Sequence, residues 1–325
     1  MANRHRISLA EFLLITLFGL AIGYLGWIGW ALNREGRVTP TPAVVISQTP
    51  LPTPTPVHFD GQKAYWHVVA QVSFGPRVPG SEASRQARAY IRADLANKGW
   101  RVEEEAFTFR EVPLANIVAR RGQGPITLLG AHYDSRPRAD RDPDITRRQD
   151  AVPGANDGAS GVAVLLELAR VLRWNEDEGA IWLYFFDAED SGNVNGWPWS
   201  VGARHAVQRL AEQGIRVDKV IILDMVGDKD QQFYWEKNSD PTLQASIWRT
   251  ASELGYENVF IPEPKYQIID DHVPFIEAGM RAIDIIDFDY PYWHTLADTP
   301  DKVSAESLRR VGHVIQQWLP TELGP

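Results

Sequence analysis

Phe185-Phe186-Asp187-Ala188-Glu189-Asp190 is an apolar run that breaks into three carboxylates within four residues. Like charges packed that closely are costly, and the cost falls if a divalent cation shares the site. An adjacent Glu-Asp pair can divide the labour, one side chain binding a metal and the other moving protons. The same residues would also serve as a solvated acidic loop. Other segments repeat the arrangement. Ile126–Ala131 ends in His132-Tyr133-Asp134, Val220–Leu223 ends in Asp224, and Ala282–Ile286 leads through Asp287 and Trp293 to His294. Gly154-Ala-Asn-Asp157-Gly-Ala-Ser-Gly161 precedes an apolar helical pattern. Imidazole and carboxylate are the usual non-thiol zinc ligands, and five such positions in this order point to a metal site.

The elements that would position these groups follow from periodicity. Ala180–Phe186 reads as a strand buried on both faces, as in a parallel sheet. Open α/β sheets bind ligands at the carboxyl ends of their strands, where these acids fall. Residues 84–98, 158–173, 201–213, 241–254 and 304–318 have helical spacing, and 100–109 and 114–119 read as strands. Strands alternating with helices predict an α/β three-layer sandwich, its central sheet mixed but mostly parallel and flanked by helices.

The chain has 325 residues, a net charge of −9 and no cysteine. Nucleic acid is not an expected partner, and disulfides, thiolate zinc sites and cysteine nucleophiles are excluded. Residues 1–11 form a short tail. Phe12–Leu32 is uncharged and long enough to cross a bilayer. We read it as a signal anchor with the amino end inside, in preference to a cleaved signal peptide, since no small-residue cleavage site follows closely. Residues 33–57, rich in Thr-Pro, read as an extended stalk. Residues 58–325 form the folded domain, placed outside the cytoplasm. Arg136–Gln149 is a charge-mixed loop, read as a variable surface insertion in preference to a rim or lid. His272 is expected to cap a helix starting near Val273. His205 and His313 read as structural or surface residues, and Ser135 and Ser160 lack a triad context. Gly158 and Gly161 suit a close backbone approach.

Taken together, the chain resembles the zinc-dependent aminopeptidase and glutaminyl cyclase superfamily, metallopeptidase clan MH, from about Phe74 to Trp318. The likeness rests on Gly75-Pro-Arg-Val-Pro-Gly-Ser81, Ala131-His-Tyr-Asp-Ser135, Gly154–Gly161, Phe186-Asp-Ala-Glu-Asp190, Leu223-Asp-Met-Val-Gly227, Asp270-Asp-His-Val-Pro-Phe275 and Trp293-His-Thr295. For the aminopeptidases, the resemblance implies two zinc ions: His132 and Asp224 on one, Asp190 and His294 on the other, and Asp157 between them. Glu189 takes the place of the general base. For the glutaminyl cyclases it implies one zinc held by Asp157, Asp190 and His294. Glu189 then moves the proton, Asp224 and Asp270 form an acidic network with it, and Trp293 packs on the substrate. Trp197 and Trp199 resemble that branch's Trp-bearing loop.

Asp270, where aminopeptidases usually carry Ser, and Trp293 favour the cyclase branch. One departure is Asp190, where the family normally has the longer Glu. The expected activity is therefore conversion of an N-terminal Gln to pyroglutamate with loss of ammonia. The alternatives are a zinc aminopeptidase and a non-catalytic binding ectodomain. Peptide or protein N-termini are the expected partners, together with the membrane through the N-terminal helix.

Overall fold

The structure is a computed structural model that describes residues 8–34 and 57–323. It divides into an N-terminal unit and a unit from residue 56 onward. Nearly all of the Thr-Pro stalk lies outside the described residues. The described N-terminal unit contains one helix, α1 (Leu9–Arg34), whose Leu9–Asn33 portion is long and apolar enough to cross a membrane. At about 1.5 Å per residue its length exceeds the ~30 Å hydrocarbon core of a bilayer.

In the second unit, the strands are β1 (Arg101–Phe109), β2 (Val112–Gly122), β3 (Ile126–His132), β4 (Ala180–Phe186), β5 (Lys219–Asp224), β6 (Phe233–Glu236), β7 (Phe260–Tyr266) and β8 (Arg281–Ile286). The main sheet has the order β1-β2-β4-β3-β5-β8. β4, β3, β5 and β8 are mutually parallel, and the β1–β2 hairpin adds antiparallel pairing at one edge. The sheet is thus mixed, as expected. β6 and β7 form a separate parallel pair.

Side-chain alternation along the strands builds two cores. Leu129, Leu183, Ile221 and Ile283 point to one face, against α2 (Gly61–Ser73), α3 (Glu82–Asn97), α4 (Ala159–Val171), α6 (Pro241–Glu253) and α8 (Ala305–Leu323). Leu128, Tyr184, Ile222 and Ala282 point to the other, against α5 (Val201–Glu212) and α7 (His272–Glu277). A period of two with both faces apolar is what a strand covered on both sides requires.

Register then fixes where the polar residues fall. His132 pairs with Phe186, and Asp224 pairs with Ile286. The four parallel strands therefore end together, and the residues that follow them project over one rim of the sheet. α4 packs closely beneath that rim. A Cβ on Gly161 would lie 2.1 Å from the Leu223 carbonyl oxygen, so only glycine permits the approach.

Candidate metal centre

His132 ends β3, Asp224 ends β5, and Glu189 and Asp190 lie in the turn after β4. Asp157 precedes α4, and His294 lies beyond β8. All are at most 8% exposed. The Asp157 carboxylate stands between the two imidazoles. Its Oδ1 is 3.2 Å from His132 Nε2, and its Oδ2 is 3.9 Å from His294 Nε2. His132 Nε2 also meets Asp224 Oδ1 at 3.1 Å, and His294 Nε2 meets Asp190 Oδ1 at 3.1 Å. Ala188, Met225 and His294 adopt left-handed φ values of 56°, 46° and 57°. Each is at or beside one of these positions, where strain is commonly held by the surrounding structure.

Backbone anchors set the turns. The Asp134 carboxylate accepts from the Glu189 and Asp190 amides at 3.0 and 3.1 Å. Asp298 accepts from the Asn156 and Asp157 amides and from the Tyr290 hydroxyl. Buried Arg77 donates to the carbonyls of Tyr133, Pro153 and Gly154, tying the His132 and Asp157 segments together.

The electrostatics follow from burial and crowding. Burial alone would lower the His132 pKa, but Asp224, Asp134 and Asp157 hold it well above the usual value. Burial and then the Asp157 charge raise Asp190 to about 6. Burial raises Asp224 to about 7, with Asp270 and Asp157 adding to the shift against the opposing pull of His132. Glu189 is pushed well above the carboxylate range by burial and then by Asp270. Such an excess of buried negative charge calls for a cation.

The donors fit zinc, and they do so unequally. Asp157 Oδ2, Asp190 Oδ2 and His294 Nε2 are buried without a hydrogen-bond partner, one open donor from each of three residues. Single ligand atoms from these three residues lie within 4.8 Å of one another. His132, Asp157 and Asp224 form a second such group. There, however, His132 Nε2 is already engaged in a hydrogen bond with Asp224 Oδ1.

Beside these groups is a cavity of about 290 Å³ lined by Glu189, Trp199, Asp224, Ile269, Asp270 and Trp293, among others. Trp199 stacks on His294 at 6.1 Å with the planes 16° apart. Trp293 packs on Phe288. Trp197 is elsewhere: its ring meets Phe109 edge-on, and it lines a different hollow with Val78, Pro79 and Pro137. Oxygens of Glu189, Asp270 and Asp271 lie within 4.8 Å of one another.

His272 does not cap α7. It is the first residue of that helix, and its Nε2 lies 3.1 Å from Glu236 Oε2. His205 stacks on Phe107, and His313 pairs with the Tyr256 hydroxyl. The Arg136–Gln149 loop is not a detached surface insertion. Buried Arg136 donates to Asp190, and Asp140 lies 3.3 Å from His294 Nδ1. Sequence reasoning missed both residues.

A parallel-sheet rim carrying two histidines and a shared carboxylate defines a metallopeptidase-type α/β domain. The sequence profile of peptidase family M28 matches residues 116–319, and the chain belongs to that family. It is similar to aminopeptidase YwaD of Bacillus subtilis, 32% identical over 207 residues, covering 58% of this chain and 39% of that protein. The chain thus spans well under two thirds of that relative's length. Among solved structures it is similar to the glutaminyl cyclase of Porphyromonas gingivalis. That match has 34% identity and a TM-score of 0.76, and covers 81% of this chain and 99% of the cyclase. A leucine aminopeptidase precursor from Bacteroides thetaiotaomicron matches with 32% identity and a TM-score of 0.76, covering 81% and 98%.

Proposed function

We propose that this chain is a zinc enzyme of glutaminyl-peptide cyclotransferase type, converting an N-terminal Gln to pyroglutamate with release of ammonia. The observation that carries the reading is the buried pairing of Glu189 with Asp270 at the floor of a cavity walled by Trp199 and Trp293. The similarity to a glutaminyl cyclase along nearly that protein's full length supports it.

Asp157, Asp190 and His294 would hold the zinc, which when bound polarises the γ-amide carbonyl as a Lewis acid. Trp199 and Trp293 flank the cavity, shielding the reacting amide from water. The substrate α-amine forms the new C–N bond as the γ-amide C–N bond breaks and ammonia leaves. Glu189 takes the proton from the amine and returns it to the departing nitrogen. Its raised pKa suits it to hold that proton. Ser200 Oγ donates to Glu189 Oε1 at 3.1 Å and fixes its orientation. Asp270, and after it Asp271 and Asp190, supply the acidic surroundings that keep Glu189 basic.

One observation favours a second reading, a zinc aminopeptidase. Asp157 faces both histidines, so donors for two ions are present, with His132 and Asp224 completing the second set. Mass spectrometry of a Gln-initiated and a Leu-initiated peptide separates the readings, since loss of ammonia and removal of a residue differ in mass. We further assign α1 as a single-pass signal anchor, with the enzyme domain on the extracytoplasmic side. Protease accessibility of the domain in intact cells tests that topology.

A further inference from the structure

The loop after β3 touches the His294 segment at three successive residues. Asp140 Oδ1 lies 3.3 Å from His294 Nδ1. The Arg141 amide donates to the His294 carbonyl oxygen at 3.2 Å. Asp142 Oδ2 accepts from the Leu296 amide at 2.8 Å. The loop also reaches the turn after β4. Arg136 Nη1 lies 3.2 Å from Asp190 Oδ1, 3.1 Å from the Asp190 carbonyl oxygen and 3.2 Å from the Gly192 carbonyl oxygen. The other side of the same guanidinium holds Asp140, with Nε and Nη2 donating to its two oxygens at 2.9 and 2.7 Å. The guanidinium carbon also lies 5.1 Å from the Trp199 ring, which in turn stacks on His294.

We infer that Arg136 and Asp140 are positioning residues for the Asp157/Asp190/His294 metal site. They form a strap that fixes one tautomer of His294 and one face of Asp190. With Asp140 beside Nδ1, the proton of neutral His294 resides there, and the Nε2 lone pair turns toward Asp157 and Asp190. A carboxylate on the far nitrogen also makes an imidazole a stronger ligand. Arg136 occupies Asp190 Oδ1 and leaves Oδ2, which has no partner, for the metal. It also holds the main chain through the carbonyls of Asp190 and Gly192. That matters because aspartate is the shorter of the two carboxylate side chains, so the reach of Asp190 depends on where the backbone is held.

The strap serves one metal site and not the other. The far nitrogen of His132 faces Asp134, and no residue of the strap contacts His132 among the described hydrogen bonds and ion pairs. This inference rests on the zinc reading, but not on the choice between cyclisation and hydrolysis.

The test is zinc affinity of the full chain in detergent, measured by competition with a chromophoric chelator, together with the visible spectrum of the cobalt-substituted protein. The variants are Asp140→Asn, Asp140→Glu, Arg136→Lys and, as a control in the same loop, Asp144→Asn. Asp140→Asn and Arg136→Lys should each weaken metal binding about 10- to 100-fold and shift the cobalt bands. Lysine keeps the charge but cannot span Asp140, Asp190 and two carbonyls at once. Asp140→Glu should recover part of the affinity, and Asp144→Asn should match wild type. The metal-free melting temperature should stay within about 2 °C for Asp140→Asn, whose side chain is half exposed. Affinity within twofold of wild type and unchanged cobalt bands in both variants would overturn the strap. So would an equal loss in Asp144→Asn. Wild-type protein that binds no zinc would overturn the metal centre and the strap with it.

Discussion

Glu189 and Asp270 come from segments 81 residues apart, yet their carboxylates share one buried pocket, with oxygens within 4.8 Å and exposures of 6% and 3%. Two carboxylates this close cannot both ionise at ordinary cost, and Asp270 is the strongest charge raising Glu189. The proposed proton transfer depends on that relationship.

Glu189→Gln should keep zinc at wild-type stoichiometry and lower kcat by about 10²- to 10⁴-fold, the usual worth of a positioned acid–base group. Metal analysis of the purified variant alongside kcat decides it. Loss of zinc would make Glu189 a ligand instead.

Asp270→Asn should move the acidic limb of the kcat/KM profile to lower pH. A neighbouring negative charge raises the Glu189 pKa, so removing it lets Glu189 ionise at lower pH. A limb that stays in place would separate Asp270 from Glu189. Asp270→Ser should harm cyclisation more than peptide hydrolysis, and equal losses would remove Asp270 as a marker of the cyclase.

Asp157→Ala and His294→Ala should each abolish tight zinc binding. Asp157 faces both histidines, and His294 supplies one of only three open donors at its site. Zinc content and affinity equal to wild type in either variant would contradict the ligand set.

Trp199→Ala should raise KM for a Gln peptide by about tenfold, since one packed aromatic contributes on the order of 1 kcal/mol beyond its area. Trp197→Ala should leave KM within about twofold, because its ring packs on Phe109 and lines a different hollow. Equal effects would mean that both rings reach the substrate.

Glu236 is a buried anchor for the segment that carries Asp270, holding Ile268 before it and His272 after it. Its carboxylate accepts from the amides of Asn238, Ser239 and Ile268 and meets His272. Burial would raise its pKa, but His272 and these amides outweigh burial and hold it at about 2, below the ordinary 4.5. A depressed folded pKa adds stability above the unfolded value. Glu236 therefore contributes fully above about pH 4.5, and its contribution fades as pH falls toward 2. Glu236→Ala should cost about 3 kcal/mol at pH 7, and the gap from wild type should narrow below pH 4.5. Thermal melts across that range check it. A gap that stays constant with pH would mean the loss is one of packing.

The parallel strands and the helices α3, α4, α5, α6 and α8 were legible because long apolar runs and helical spacing have one physical reading. The candidate metal donors could be picked out because they stand at the ends of those runs. Other features were not. α2 carries an exposed Trp66 beside polar residues, and its inward side chains show only against α4 and α8. β6 has four residues, and β7 contains two prolines and mostly exposed side chains, so neither shows an apolar alternation. Arg136 and Asp140 sit in a charged, Pro-containing segment, which reads as solvated. Their partners Asp190 and His294 are 54 and 154 residues further along the chain. No local pattern encodes such pairings. Trp197 and Trp199 are separated by the turn geometry around them, with Asn193, Asn195 and Ser200 all at left-handed φ.

The most direct measurement is mass spectrometry of a Gln-initiated and a Leu-initiated peptide after incubation with the zinc-loaded full chain in detergent. The account predicts loss of ammonia from the Gln peptide while the Leu peptide stays intact. Removal of the first residue from the Leu peptide, with the Gln peptide uncyclised, would contradict it.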